Sequence, residues 1–252
     1  MTRFLTVGSL MLIVGYTLAC IGLYLMQRSL IFYPQPRRFG TADNLIKLQV
    51  DGATLNVTAR PMAGEQAVIY FGGNAEDVSG SVGTLAAAFP EHAVYLIHYR
   101  GYGGSSGNPS EEALFADALA VYDQLHARHA KITIVGRSLG SGVAVHLASL
   151  RPVVRLVLVT PYDSIAGLAA QQFPAFPIRF LLSDKFESWR DAPQVAAPTT
   201  LVIASDDVVI PRASSELLLT RFKPGVAHAV VIPGAGHNTI ADQPSYLAAL
   251  AH

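Results

Sequence analysis

Cysteine is almost missing from this sequence of 252 residues: Cys20 stands alone. A single thiol rules out an intramolecular disulfide and any cysteine-rich metal site, so the fold must rest on its own core. Charge is scarce as well. Asp, Glu, Lys and Arg make up 14% of the chain, against roughly a quarter in ordinary soluble domains. Eighteen basic residues balance eighteen acidic ones, and no basic run with interleaved aromatics occurs. That excludes the electrostatic footprint of a nucleic-acid binder. Among the histidines, His126 and His129 alone fall near each other at a loose helical spacing. They have no third ligand beside them, so no metal is expected. Internal repeats and low-complexity tracts are missing too, and the length suits one domain.

Apolar residues, by contrast, reach 51%, and much of that excess is local. From Phe4 to Met26 no residue is charged. At 1.5 Å per residue the run reaches roughly 34 Å, enough to cross a hydrocarbon core of roughly 30 Å. Backbone groups in lipid must bond internally, which predicts a helix. Tyr16, Tyr24, Arg3 and Arg28 suit interfacial positions. Residues 1–30 are therefore read as an uncleaved membrane anchor. Thr17-Leu18-Ala19-Cys20 offers the alternative of a lipoprotein cleavage box, and a cleaved signal peptide is another. The apolar run continues past Cys20, which favours the anchor. Arg28, Arg37, Arg38 and Lys47 follow the helix, and the positive-inside rule then faces the domain to the cytoplasm. Folded domains also translocate against such a bias, so either side of the membrane stays open.

Residues 31–252 are read as one α/β domain, reached through a short linker at Ile31 to Pro36. Two β-rich runs, Ile46 to Val50 and Ala53 to Ala59, are parted by Asp51-Gly52, a hairpin signal. Strand-like runs follow at Ala67 to Phe71, Ala93 to His98, Ile132 to Val135, Val154 to Thr160, Thr200 to Ala204 and His228 to Ile232. Helical patterns alternate with them at Val78 to Phe89, Glu111 to Arg128, Leu139 to Leu150, Arg212 to Arg221 and Pro244 to Ala251. Nearly continuous apolar strands imply burial on both faces, hence a mostly parallel sheet between helices. Residues 171–198, rich in proline and aromatics, break the rhythm and are read as a short, partly irregular cap.

Gly136-Arg137-Ser138-Leu139-Gly140 joins a predicted strand to a predicted helix. Such a sharp turn exposes the serine at the carboxyl edge of the sheet, where ligands bind. A serine nucleophile needs a base, and the base needs an orienting acid. His237 lies in a loop just past the last strand, whereas His146 sits inside a helix, His228 opens a strand and His252 is terminal. Asp206 and Asp207, both after the strand Thr200 to Ala204, compete for the acid. Asp163 is a third candidate, better read as an N-cap for the segment from Ser164. For the oxyanion, the Leu139 N–H supplies one donor. The Gly72-Gly73-Asn74-Ala75 loop supplies the other, from Asn74 or, failing that, Ala75.

Taken in order, Gly72 to Ala75, Tyr99-Arg100-Gly101-Tyr102-Gly103-Gly104-Ser105-Ser106-Gly107, Gly136 to Gly140, Asp207 to Pro211 and Gly236-His237-Asn238 resemble known motifs. They are those of membrane-anchored single-domain α/β-hydrolases, the ABHD-type depalmitoylase-like enzymes and their bacterial relatives. The resemblance implies the α/β-hydrolase fold and selects Asp207, because Asp207-Val208-Val209-Ile210-Pro211 fits the family spacing and Asp206 is one place early. It also implies a structural role for Arg100. Two positions depart from the family: Gly72 replaces a histidine, which threatens to loosen the oxyanion loop, and His98 replaces an acid.

The expected function is hydrolysis of an ester or thioester through an acyl-Ser138 intermediate, with no cofactor. The expected partners are a small-molecule or acylated substrate and, through the N-terminal helix, a membrane. A serine peptidase on the same triad is the alternative, and a non-catalytic membrane scaffold is a third reading. Phe173, Phe176, Phe180 and Phe186 in the cap either line an apolar pocket or close the core.

Overall fold

The structure, a computed structural model, describes residues 2–251, with side chains from Thr6 onward. Helix α1, Thr2–Ile31, takes up the apolar N-terminus. Its stretch Thr6–Ile31 has a mean hydropathy of 2.0, long and apolar enough to cross a membrane, a description that a signal sequence also meets. The chain then enters the domain without a free linker. Phe32 is buried, and the Tyr33 N–H donates to the Asn74 carbonyl at 3.1 Å.

Eight strands build one sheet: β1 Leu45–Val50, β2 Ala53–Arg60, β3 Gln66–Phe71, β4 Ala93–Ile97, β5 Lys131–Arg137, β6 Arg155–Val159, β7 Thr199–Ala204 and β8 Ala227–Ile232. Their spatial order is β1-β2-β4-β3-β5-β6-β7-β8. β1 and β2 form the hairpin expected at Asp51-Gly52, where Gly52 takes a φ of 70°. The β2–β4 pair is also antiparallel, and every pair from β4 onward is parallel. Helices α2 Val82–Ala88, α3 Glu111–His126, α4 Leu139–Leu150, α8 Arg212–Leu219 and α9 Tyr246–Ala251 flank it. The cap region holds α5 Ile165–Gln172, α6 Ile178–Leu181 and α7 Ser188–Asp191.

The two-residue period of the strands sorts side chains to opposite faces. Ile69 and Phe71 of β3 join the core with α3 and α4, while Val68 and Tyr70 join the core with α2 and α9. Boundary differences have local causes. The helix expected from Val78 opens as a 3₁₀ turn, Val78–Ser81, because Asp77 caps Ser79. β5 runs two residues beyond the expected Val135, since Gly136 and Arg137 pair with Leu158 and Val159 of β6. The cap begins earlier than expected: α5 already leaves the sheet, with Ser164 as its N-cap accepting from the Gly167 N–H at 3.0 Å.

Candidate active site

The turn between β5 and α4 puts Ser138 at φ 50° and ψ −119°, a conformation that a β-carbon resists. Close packing fixes it there. A β-carbon at position 140 would stand 2.1 Å from the Phe71 carbonyl oxygen, and one at 136 would stand 2.6 Å from the Ala144 β-carbon. Only glycines let α4 descend so near the strands. The Ser138 N–H is held at 2.9 Å by the Val159 carbonyl.

His237 Nε2 lies 3.0 Å from Ser138 Oγ, and His237 Nδ1 lies 2.7 Å from Asp207 Oδ2. All three side chains are buried. The other carboxylate oxygen of Asp207 accepts the N–H groups of Val209 at 2.9 Å and Ile210 at 2.7 Å, which fixes the acid. The histidine loop is pinned by Gly236 N–H to Thr239 Oγ1 at 3.0 Å and by Asp206 N–H to the Ala235 carbonyl at 2.9 Å. Chemically, this chain can pass the Ser138 proton to an imidazole whose other nitrogen faces a fixed carboxylate.

The remaining candidates stand elsewhere. Asp206 is exposed and accepts from the Ser205 hydroxyl. Asp163 caps nothing: the cap is Ser164, and Asp163 pairs with Arg221 at 3.2 Å. His146 pairs with Asp191 at 2.8 Å, and His228 is exposed on β8. His129 hydrogen-bonds Tyr95 Oη and the Gly64 carbonyl, both at 2.8 Å. No cluster of three metal-ligating side chains occurs among the described residues.

Leu139 opens α4, so its N–H has no carbonyl one turn earlier in the helix to take it. Asn74 borders the same cavity as Ser138 and Leu139. The Gly73 N–H, by contrast, is occupied by Glu76 Oε2 at 2.8 Å. The loop is far from loose. Tyr99 Oη donates to the Gly72 carbonyl at 2.8 Å and Tyr102 Oη to the Asn74 carbonyl at 2.7 Å. A β-carbon at position 72 would approach Val78 Cγ1 to 2.4 Å, so Gly72 suits this packing. Arg100 holds Asp117 through two hydrogen bonds at 2.7 and 2.8 Å, as a structural residue would.

Two residues that sequence reasoning missed tie these loops together. Arg137 Nη1 donates to Glu76 Oε2 at 2.9 Å, and its Nη2 donates to the His237 carbonyl at 3.2 Å. Burial disfavours the Arg137 charge, but the Glu76 carboxylate, together with Tyr70 and Tyr246, outweighs this, so its pKa is raised. Glu76 also accepts from Tyr70 and Ser81 at 2.8 and 2.9 Å. The available signal was a base inside the serine turn and an acid just past the glycine loop. The cap phenylalanines divide: Phe173 borders the cavity, Phe186 is fully buried, Phe176 stacks on Tyr16, and Phe180 is exposed.

A protein-family model for the alpha/beta hydrolase fold matches residues 66–188. An uncharacterised protein of Mycobacterium tuberculosis is 39% identical over 178 residues, 68% of this chain and 63% of that one. The matched stretch thus spans under two thirds of that relative's length. The alpha/beta hydrolase domain-containing protein aho-3 of Caenorhabditis elegans is 32% identical over 196 residues, 75% of this chain and 57% of its own. Among solved structures, Est1E of Butyrivibrio proteoclasticus, seen with ferulic acid bound, aligns with a TM-score of 0.68 at 15% identity, covering 82% of this chain and 96% of Est1E. With its sheet order, its strained serine turn and this family match, the chain has the alpha/beta hydrolase fold.

Proposed function

We propose that this protein is a serine hydrolase that cleaves an ester or thioester through an acyl-Ser138 intermediate. The observation that carries the reading is the unbroken hydrogen-bond chain from Ser138 through His237 to Asp207. In the first half-reaction His237 Nε2 takes the Ser138 proton as Oγ attacks the carbonyl carbon. The Leu139 and Asn74 N–H groups receive the oxyanion. His237 then returns the proton to the departing alcohol or thiol. In the second half, water attacks the acyl-serine with His237 again as base, and the acid leaves. Asp207 holds the imidazole and stabilises its charged form throughout. These steps call for no cofactor.

An acyl substrate suits the site better than a peptide. The cavity beside Ser138 is bordered by leucines, isoleucines and Phe173, and no Asp, Glu, Lys or Arg borders it among the described residues. Helix α1 serves in this reading as an uncleaved membrane anchor. The test is labelling with a fluorophosphonate probe, wild type beside Ser138→Ala. Labelling of the wild type and loss in the variant is expected; equal labelling of both sinks the assignment.

A further inference from the structure

The cavity that holds Ser138 has a volume of about 240 Å³, and the anchor helix forms one of its walls. Leu23, Gln27, Leu30 and Ile31 all border it. Their spacing of four, three and one residues places them on one helical face. From Leu23 to Ile31 that face runs roughly 12 Å. The facing wall comes from the cap, with Phe173, Ile178 and Leu181.

Polar clamps fix the two walls together at one level. Gln27 Nε2 donates to the Leu181 carbonyl at 3.3 Å, and Gln27 Oε1 accepts the Ser183 N–H at 2.6 Å. Arg28 pairs with the buried Asp184 at 3.0 Å. Deeper along α1 the contact changes character. Tyr16 stacks on Phe176 with ring centroids 5.6 Å apart, and its hydroxyl donates to the Ala175 carbonyl at 2.9 Å. Tyr16 stands roughly 18 Å along the helix from Arg28. The cap thus follows the anchor down into the stretch that would lie in hydrocarbon.

The cap segment Phe173 to Leu182 is built for that depth. Its one charge is Arg179, which is exposed and long enough to reach an interface. Phe180 is 90% exposed to the surroundings, and Phe173 40%. Irregular backbone in lipid is costly unless its polar groups bond internally. Here Pro174 and Pro177 carry no N–H, and those of Phe173, Phe176, Ile178, Phe180, Leu181 and Leu182 donate to carbonyls of the segment or of α5.

We propose that this cap segment lies in the bilayer beside the anchor, and that the two frame a portal opening sideways into lipid. Through it the long acyl chain of a membrane-resident ester or thioester reaches Ser138. The inference rests on the acyl-enzyme reading above and adds to it the route and the chain. Leu23 and its face of α1 then select chain length, because each buried methylene contributes about four-fold in binding.

The test uses the full chain reconstituted in phosphatidylcholine vesicles. Hydrolysis of soluble p-nitrophenyl butyrate is compared with that of p-nitrophenyl palmitate dissolved in the bilayer. Leu23→Trp should lower the palmitate-to-butyrate ratio at least ten-fold. Phe180→Glu should cut palmitate turnover several-fold and leave butyrate turnover and probe labelling unchanged. In a Trp189→Phe background, the fluorescence of Phe180→Trp should be quenched by brominated lipid. A monoacylglycerol and an S-acylated membrane peptide, offered in the same vesicles, tell which head group the chain carries. Unquenched fluorescence, or equal effects on both esters, overturns the portal. Failure of the wild type to label or to cleave butyrate strikes the acyl-enzyme reading instead.

Discussion

The two sides of the cavity are held by different physics. On the sheet side, Ser138, Asp207 and His237 sit on turns fixed by glycine sterics, backbone donors and the half-buried Arg137–Glu76 pair. On the side of helix α1, apolar faces meet, and a few polar clamps around Gln27 and Arg28 set their register. Buried polar networks leave little room for alternatives, since each unsatisfied member costs about 1–3 kcal/mol. Apolar walls are less exacting and adapt to substituted shapes. A hydrolase gains from that division, because chemistry needs fixed geometry and chain recognition mainly needs area.

The largest effect should come from breaking the sheet side. Asp207→Ala removes the carboxylate that orients His237 and should lower kcat by about 10⁴-fold, as loss of an orienting acid does elsewhere. Asp206→Ala, one residue away, should stay within about two-fold, because Asp206 is exposed and faces Ser205. Steady-state rates on a soluble ester check both, and a greater loss at Asp206 would reverse the assignment.

That contrast shows what the sequence could and could not convey. The hairpin at Asp51-Gly52, the buried strands and the serine turn were legible because turn chemistry and period-two burial are local. Asp206 and Asp207 were inseparable by local geometry, because both follow one strand. The fold distinguishes them through the Val209 and Ile210 N–H groups, which converge on Asp207 alone. Glu76 and Arg137 went unseen since their pairing spans distant loops. Helix α1 was visible as an apolar run, yet its place as a cavity wall depends on docking, which hydropathy does not encode. Asp163 was misread as a cap because Ser164, beside it, caps equally well.

A smaller effect on the same side comes from pH. His98 is buried, and Thr58 Oγ1, which accepts from Arg37 Nε at 3.2 Å, lies 2.8 Å from His98 Nε2. Burial lowers its pKa to about 4, with Asp77 opposing and Arg37 adding to the shift. Unfolded, the imidazole would titrate near 6.5. The folded state therefore binds fewer protons between those values, and stability falls as pH drops from about 6.5 to about 4. The loss should reach about 3 kcal/mol and then level off for this group. Position 98 lies under Gly103, whose loop carries the Tyr102 that holds Asn74. Urea midpoints at pH 7 and 4.5 should diverge in the wild type and draw together in His98→Gln. Equal pH dependence in both would show that His98 does not titrate with folding.

The smallest change should come from the side of helix α1, and its size is the informative part. Gln27→Ala removes an acceptor from the Ser183 N–H and a donor from the Leu181 carbonyl, and a neutral hydrogen bond contributes about 1 kcal/mol. The surrounding contacts of Leu23, Leu30 and Ile31 are apolar and survive the change. Local opening of the cap should therefore become about five-fold more frequent, while the sheet side stays closed. Hydrogen exchange separates the two: the Ser183 amide should exchange about five-fold faster, and those of Val209 and Ile210 at their former rates. If all three amides accelerated together, the walls would form one cooperative unit and the division of labour between them would fail. If none did, Gln27 would contribute nothing to the docking of α1 on the cap. The expected outcome, a change confined to Ser183, would mean that the α1 wall can open for a chain without disturbing the serine.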